Sequence, residues 1–190
     1  ENILFICSKG GVLLGEDLLK VAETLKAARK LRKLIFDQLI RPRLSELLKD
    51  IATLPDLQKL LEFGLDEGGR IADRASSKLS ELRRHRSAVR LQRKDILQDI
   101  IRKYGGLLQD NIISERYGRP VLAFKAGTSD QIKGMVHDSS ASGNTIYVEP
   151  QVVISIGNRF ANIYSEISEE ERRLLANWSK EVGLNANVID

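Results

Sequence analysis

The sequence predicts a mainly α chain with a small β unit: a helical core, and two long antiparallel lever helices carrying a short-stranded antiparallel β clamp at their tip. Three observations predict it. Aromatic residues make up only 5% of the 190, with one Trp against 42% hydrophobic residues, which suits Leu and Ile cores between helices better than an aromatic-rich sandwich. Apolar residues recur at gaps of three and four over most of the chain. Between Gly105 and Pro150 the period changes to two.

From Glu16 to about Phe36, the residues Leu18, Val21, Leu25, Ala28, Leu31 and Ile35 form one apolar helix face. Pro42 restarts the chain, and Leu44, Leu47, Leu48 and Ile51 predict a shorter helix. Pro55, placed in a first turn, opens a third helix through Leu57, Leu60 and Leu61. Gly64 and the Gly68-Gly69 pair end it. A helical period then runs from about Ser76 to Tyr104 through Leu79, Leu82, Val89, Ile96 and Ile100, about 42 Å at 1.5 Å per residue.

Strand-type runs follow at Val121–Phe124, Met135-Val136 and Ile146–Val148, separated by Gly127, Gly134 and a Ser/Gly/Asn-rich loop. After Pro150 the helical period returns through Phe160, Ile163, Ile167, Leu174 and Trp178 and stops near Gly183. Ser168 to Glu171 has the form of a capping box, but the apolar stripe continues in register on both sides, so one helix is expected. The expected organisation is residues 1–105 as helical core and first lever helix, 106–149 as β clamp tip, and 150–190 as returning lever helix.

The chain starts at Glu1 rather than Met and stops at Asp190 just past a helix-like segment, so further domains are expected. Its single cysteine, Cys7, fits a reducing, cytoplasmic setting and a small core residue. No apolar stretch approaches the ~20 residues of a membrane span, so no membrane partner is expected.

Catalytic motifs are weak. Gly10 to Asp17 (GGVLLGED) has phosphate-loop glycine spacing, but Glu16 and Asp17 stand where the motif needs a cation and a Mg²⁺ ligand. Two carboxylates there would repel a triphosphate and suit an acidic first helical turn instead. His137-Asp138-Ser139 invites a hydrolase reading, yet adjacent strand residues alternate faces, and a turn in which Asp and Ser bond their own backbone is expected. His85 is expected to be a solvated helix residue. No catalytic residue, metal site or cofactor is expected in the chain itself.

Charge is more informative. Arg83, Arg84, Arg86, Arg90, Arg93 and Lys94 occur with no acid between them, and five of the six share a helical stripe beside Leu82, Val89 and Ile96. A phosphate-tracking ridge is one reading. Neutralisation by a returning helix is the other: folding back about the β unit sets Arg83–Arg93 opposite Ala161–Glu171, which holds Glu166, Glu169, Glu170 and Glu171. Arg90, Arg93 and Lys94 are then the least covered. A second cluster, Lys26, Arg29, Lys30, Arg32 and Lys33, is read as a solvated face.

Residues Gly118–Pro150 read GRPVLAFKAGTSDQIKGMVHDSSASGNTIYVEP. Through Gly118-Arg119, Val121-Leu122, Lys125-Ala126, Gly134, Val136-His137-Asp138, Ser140–Gly143, Thr145 and Glu149-Pro150, this stretch resembles the signature of the bacterial MutS2 family, MutS-like proteins distinct from the mismatch-recognising branch. Gly11-Val12-Leu13 upstream and Asn158-Arg159 downstream extend the resemblance over nearly the whole chain, with Ala123 a departure where relatives often carry Pro.

The resemblance implies a homodimeric parent with core and lever helices, a clamp, an ATPase head using ATP and Mg, and a C-terminal nuclease. It further implies branched-DNA binding, suppression of recombination, and action on stalled ribosomes through ribosomal RNA. This chain would be the non-catalytic core, lever and clamp portion; the alternative is a dimerisation or ribosome-docking module that does not contact DNA. The expected nucleic-acid contacts are Arg116, Arg119, Lys125 and Lys133 of the tip, with Arg90, Arg93 and Lys94 of the lever. From Ile112 to Val148, however, four Lys/Arg face three acids, so tip binding should be weak unless two arms close on one substrate.

Overall fold

A computed structural model describes residues 3–34, 42–48, 51, 53–128 and 131–189. Ile35 and Phe36, expected to end the first long helix, lie outside the described residues, as do Asp130 and the side chain of Leu47. The chain is mainly α with one four-stranded antiparallel sheet. It divides into two compact units, Glu1–Glu81 with Ser168–Asp190, and Leu82–Ile167.

The first unit contains α1 (Ile3–Ser8), α2 (Gly15–Leu34), α3 (Pro42–Leu48), α4 (Pro55–Gly64) and α7 (Ala186–Ile189). On α2 the predicted face is buried at Leu18, Val21 and Leu25, but Leu31 is exposed. Pro55 sits in the first turn of α4, where its missing N–H costs nothing, and Leu57 and Leu61 are buried. Two close approaches explain glycines here. A Cβ on Gly64 would collide with the Trp178 ring, and one on Gly15 would collide with the Gly69 carbonyl oxygen. The short helices α1 and α7 carry too few turns to show a periodic face in the sequence.

Two long helices, α5 (Ser77–Tyr104) and α6 (Gln151–Leu184), contribute to both units. Ser76 caps α5 by accepting a 3.3 Å hydrogen bond from the Leu79 N–H, satisfying one of the free donors of the first turn. Within α6 the helix passes unbroken through Ser168–Glu171, as the continuous apolar stripe predicts. No helix among the described residues is long and apolar enough to cross a membrane.

In the second unit, β1 (Leu108–Arg116), β2 (Arg119–Lys125), β3 (Gly134–Ser139) and β4 (Thr145–Pro150) lie in the order β1-β2-β4-β3. The central position of β2 accounts for its continuous apolar run: Val121, Leu122, Ala123 and Phe124 are all buried. One sheet face, formed by Leu108, Leu122, Phe124 and Val148, packs with Leu97 and Ile100 of α5 and Val153 of α6. Toward the other end of this unit Arg93 meets Phe160, so α5 and α6 run antiparallel through it.

His137-Asp138-Ser139 is strand rather than the expected turn. A register shift between Val136 and Asp138 puts His137 in a bulge, while Asp138 Oδ1 accepts the Ser139 N–H at 2.8 Å. β1 and β2 are joined by the two-residue turn Tyr117-Gly118, with φ of 51° and 74°.

Candidate nucleic-acid interface

Of the seam predicted on α5, Val89 is buried and Leu82 and Ile96 are half-buried, while Leu97, a residue outside that seam, is buried beside Ile96. That orientation leaves Arg90, Arg93 and Lys94 along the flank that faces the start of the β1–β2 hairpin. There they line a groove of about 470 Å³ with Ser87, Leu91 and Leu97 of α5, Ile113 of β1 and Pro120 of β2. Three cations and no acid line it, and Leu91, Leu97, Ile113 and Pro120 supply its apolar part. The guanidinium of Arg93 lies 4.8 Å from the centre of the Phe160 ring, a cation–π contact that fixes its stem while leaving donors available. Arg90 and Lys94 are exposed and make no hydrogen bond or ion pair with any described residue.

The four tip cations are used differently. On the sheet face turned from the core, Arg116 stacks on Tyr147 at 4.0 Å and pairs with Asp138 at 3.3 Å. Arg119 donates two 3.1 Å hydrogen bonds to Asn158 Oδ1 and lies 3.7 Å from Glu149 Oε1. Glu149 is 2% exposed, and its other oxygen is 2.9 Å from His137 Nε2. Arg119 therefore supplies compensating charge to a buried carboxylate. Lys125 donates to the Gly106 carbonyl at 3.0 Å. Lys133 is exposed and lines a separate hollow of about 510 Å³ with Lys103 and Tyr104.

Sequence reasoning thus grouped seven cations, of which the structure brings Arg90, Arg93 and Lys94 into one groove and draws Arg116, Arg119 and Lys125 into internal contacts. The sequence did not mark Ile113 and Pro120 as the opposite wall: β1 has no alternating pattern to identify it as a strand, and Pro120 lies just ahead of the apolar run Val121–Phe124 that marked β2. The acids expected opposite the arginine run are not all available to it: Glu170, in the first unit, accepts from Arg173 Nε at 2.9 Å, from Arg173 Nη2 at 2.6 Å and from the Ser76 hydroxyl at 2.7 Å, with Lys78 at 3.7 Å. The Arg173 hydrogen bonds, with the Ser76 bond and the nearby charges of Arg173 and Lys78, outweigh burial and hold its carboxyl at a pKa of about 2.

ATP, implied by the resemblance for the longer proteins, does not fit Gly10–Asp17. Gly15 is packed against the Gly69 backbone, and the following Glu16 and Asp17 form the acidic first turn of α2, with Asp17 paired to Lys20 at 2.8 Å. His137 and Asp138, the residues of the hydrolase reading, are engaged by Glu149 and Arg116.

No protein-family model matches the chain. It is 41% identical over 174 residues to Endonuclease MutS2 of Synechocystis sp., a match covering 92% of this chain and 21% of that protein. Endonuclease MutS2 of Pelotomaculum thermopropionicum is 36% identical over 184 residues, and that of Symbiobacterium thermophilum 34% over 185, each covering 95% of this chain and 23% of the relative.

Proposed function

The chain belongs to the MutS2 family as a segment spanning about a fifth of its relatives' length, and from that premise we propose that it is a non-catalytic nucleic-acid-binding arm of a MutS-like endonuclease. In this reading the sheet and the helix segments behind it act as a clamp on branched or duplex DNA, within a homodimer whose ATP-dependent and cleaving steps lie in other domains. The observation that carries the reading is the groove lined by Arg90, Arg93 and Lys94. Residues 90 and 94 are one helical turn apart, about 6 Å along the axis, so their side chains can reach neighbouring phosphates while Ile113 and Pro120 exclude water from one side.

A second reading, a protein-docking or dimerisation module that never touches DNA, is favoured by exposed apolar residues on both outer strands, Ile112 on β1 and Met135 and Val136 on β3. Filter binding of branched DNA, duplex DNA and ribosomal RNA across a salt series separates the two. Phosphate contact gives an affinity that falls steeply with salt, and Arg90→Glu with Lys94→Glu removes most of it. Salt-independent association, unchanged in that double variant, would establish docking instead.

A further inference from the structure

The β1–β2 hairpin ends in a turn whose two residues both have positive φ, 51° at Tyr117 and 74° at Gly118. Such a turn matches the twist of the flanking strands, and its first position normally holds Asn, Asp or Gly, because a larger L side chain crowds the backbone there. A tyrosine at this position runs against local energetics. The residue is 82% exposed and makes no hydrogen bond or ring contact with any described residue, so packing does not explain its presence.

The turn is also held firmly from both sides. Arg116, the residue before it, is fixed by Tyr147 and Asp138; Arg119, the residue after Gly118, is fixed by Asn158 and Glu149. Pro120, the groove wall, lies three residues from Tyr117, about 10 Å along a strand. A nucleic-acid strand whose phosphates occupy the Arg90–Lys94 groove would therefore bring a neighbouring base within reach of an exposed aromatic ring carried on an anchored turn. Bases inside a duplex are stacked on one another and gain little from such a ring. An unpaired base gains a stacking partner at small entropic cost, since two side-chain torsions are all that need settle.

We infer that Tyr117 is a nucleobase-stacking residue that gives the arm a preference for unpaired and junction nucleotides over duplex; this rests on the nucleic-acid reading above. The test uses the full chain with a single-stranded oligonucleotide carrying 2-aminopurine, and a duplex of the same length. Wild type should quench the probe. Tyr117→Ala should lose about tenfold in single-strand affinity, and the quenching with it, while its salt slope and duplex affinity stay unchanged. Tyr117→Phe should remain within twofold of wild type. Tyr117→Asn should lose affinity like the alanine variant yet melt at the same or a higher temperature, because Asn suits the turn, which excludes misfolding as the cause. If Tyr117→Ala binds single strands within twofold of wild type, or loses duplex and single-strand binding equally, the stacking role is overturned while the groove stands. A wild-type chain with no salt-dependent binding overturns both.

Discussion

Glu170 is the one carboxylate among Glu169, Glu170 and Glu171 that the fold buries. In the sequence it is one acid of a run positioned to neutralise arginines. In the structure it is 2% exposed and serves the start of α5 through Ser76, the residue that also caps that helix. Its carboxyl titrates near 2 in the fold and near 4.3 in an unfolded chain, so the unfolded state binds the proton more readily. The resulting stabilisation is fully present above about pH 4.5 and is lost as pH falls toward 2. Because Arg173 and Lys78 are largely solvent-exposed, about 1 to 3 kcal/mol is the appropriate scale. Glu170→Gln should cost about that much in urea unfolding at pH 7 and flatten the acid limb between pH 4.5 and 2. A variant that keeps the wild-type acid dependence would show that another group controls it.

At the scale of elements, Arg119 carries the clearest prediction, because in the sequence it looked like a nucleic-acid contact and in the structure it joins β2 to α6. Arg119→Ala leaves Glu149 buried without its nearby counter-charge and Asn158 without its donor. Discounted for the partial exposure of the guanidinium, the cost should be about 1 to 3 kcal/mol, seen as faster amide exchange in β2 and β4. Weakened DNA binding with unchanged exchange would restore the sequence assignment. The elements legible in advance were the helices α2, α3, α4, α5 and α6 and the strands β2, β3 and β4, each marked by a helical period, a proline start or an apolar run. β1 was not, because LQDNIISER lies on the sheet edge with most of its side chains exposed, leaving no alternation to read. Missing that strand hid half of the groove. The His137 bulge was missed for a related reason: a shift of register depends on the partner strand, here β4, and leaves no mark in the strand's own composition.

For the molecule as a whole, charge is partitioned more sharply than the net +4 suggests. Leu82–Ile167 holds 13 Lys and Arg against eight Asp and Glu, a net of +5, whereas the remaining residues hold 17 against 18. The first unit does have its own basic cluster on α2, where Arg29, Arg32 and Lys33 line a hollow with Thr53. Part of that cluster is already engaged: Lys26 pairs with Glu62 at 3.0 Å, and Arg32 donates to the Ile51 carbonyl at 3.3 Å. A polyanion should therefore be drawn to the second unit, and the salt dependence of binding tests this. On duplex DNA, removing one cation from a phosphate makes the slope of log K against log salt shallower by about 0.9. Arg90→Gln with Lys94→Gln should then reduce the slope by about 1.8, while Arg29→Gln with Lys33→Gln, an equal change in net charge, should leave it almost unchanged. The same reduction in both variants would mean that DNA responds to overall charge rather than to the groove. A larger reduction from the α2 pair would move the binding surface to the first unit. The comparison is decisive because both variants alter the long-range field of the whole chain by the same amount, so any difference between them must come from charges in direct contact with phosphate.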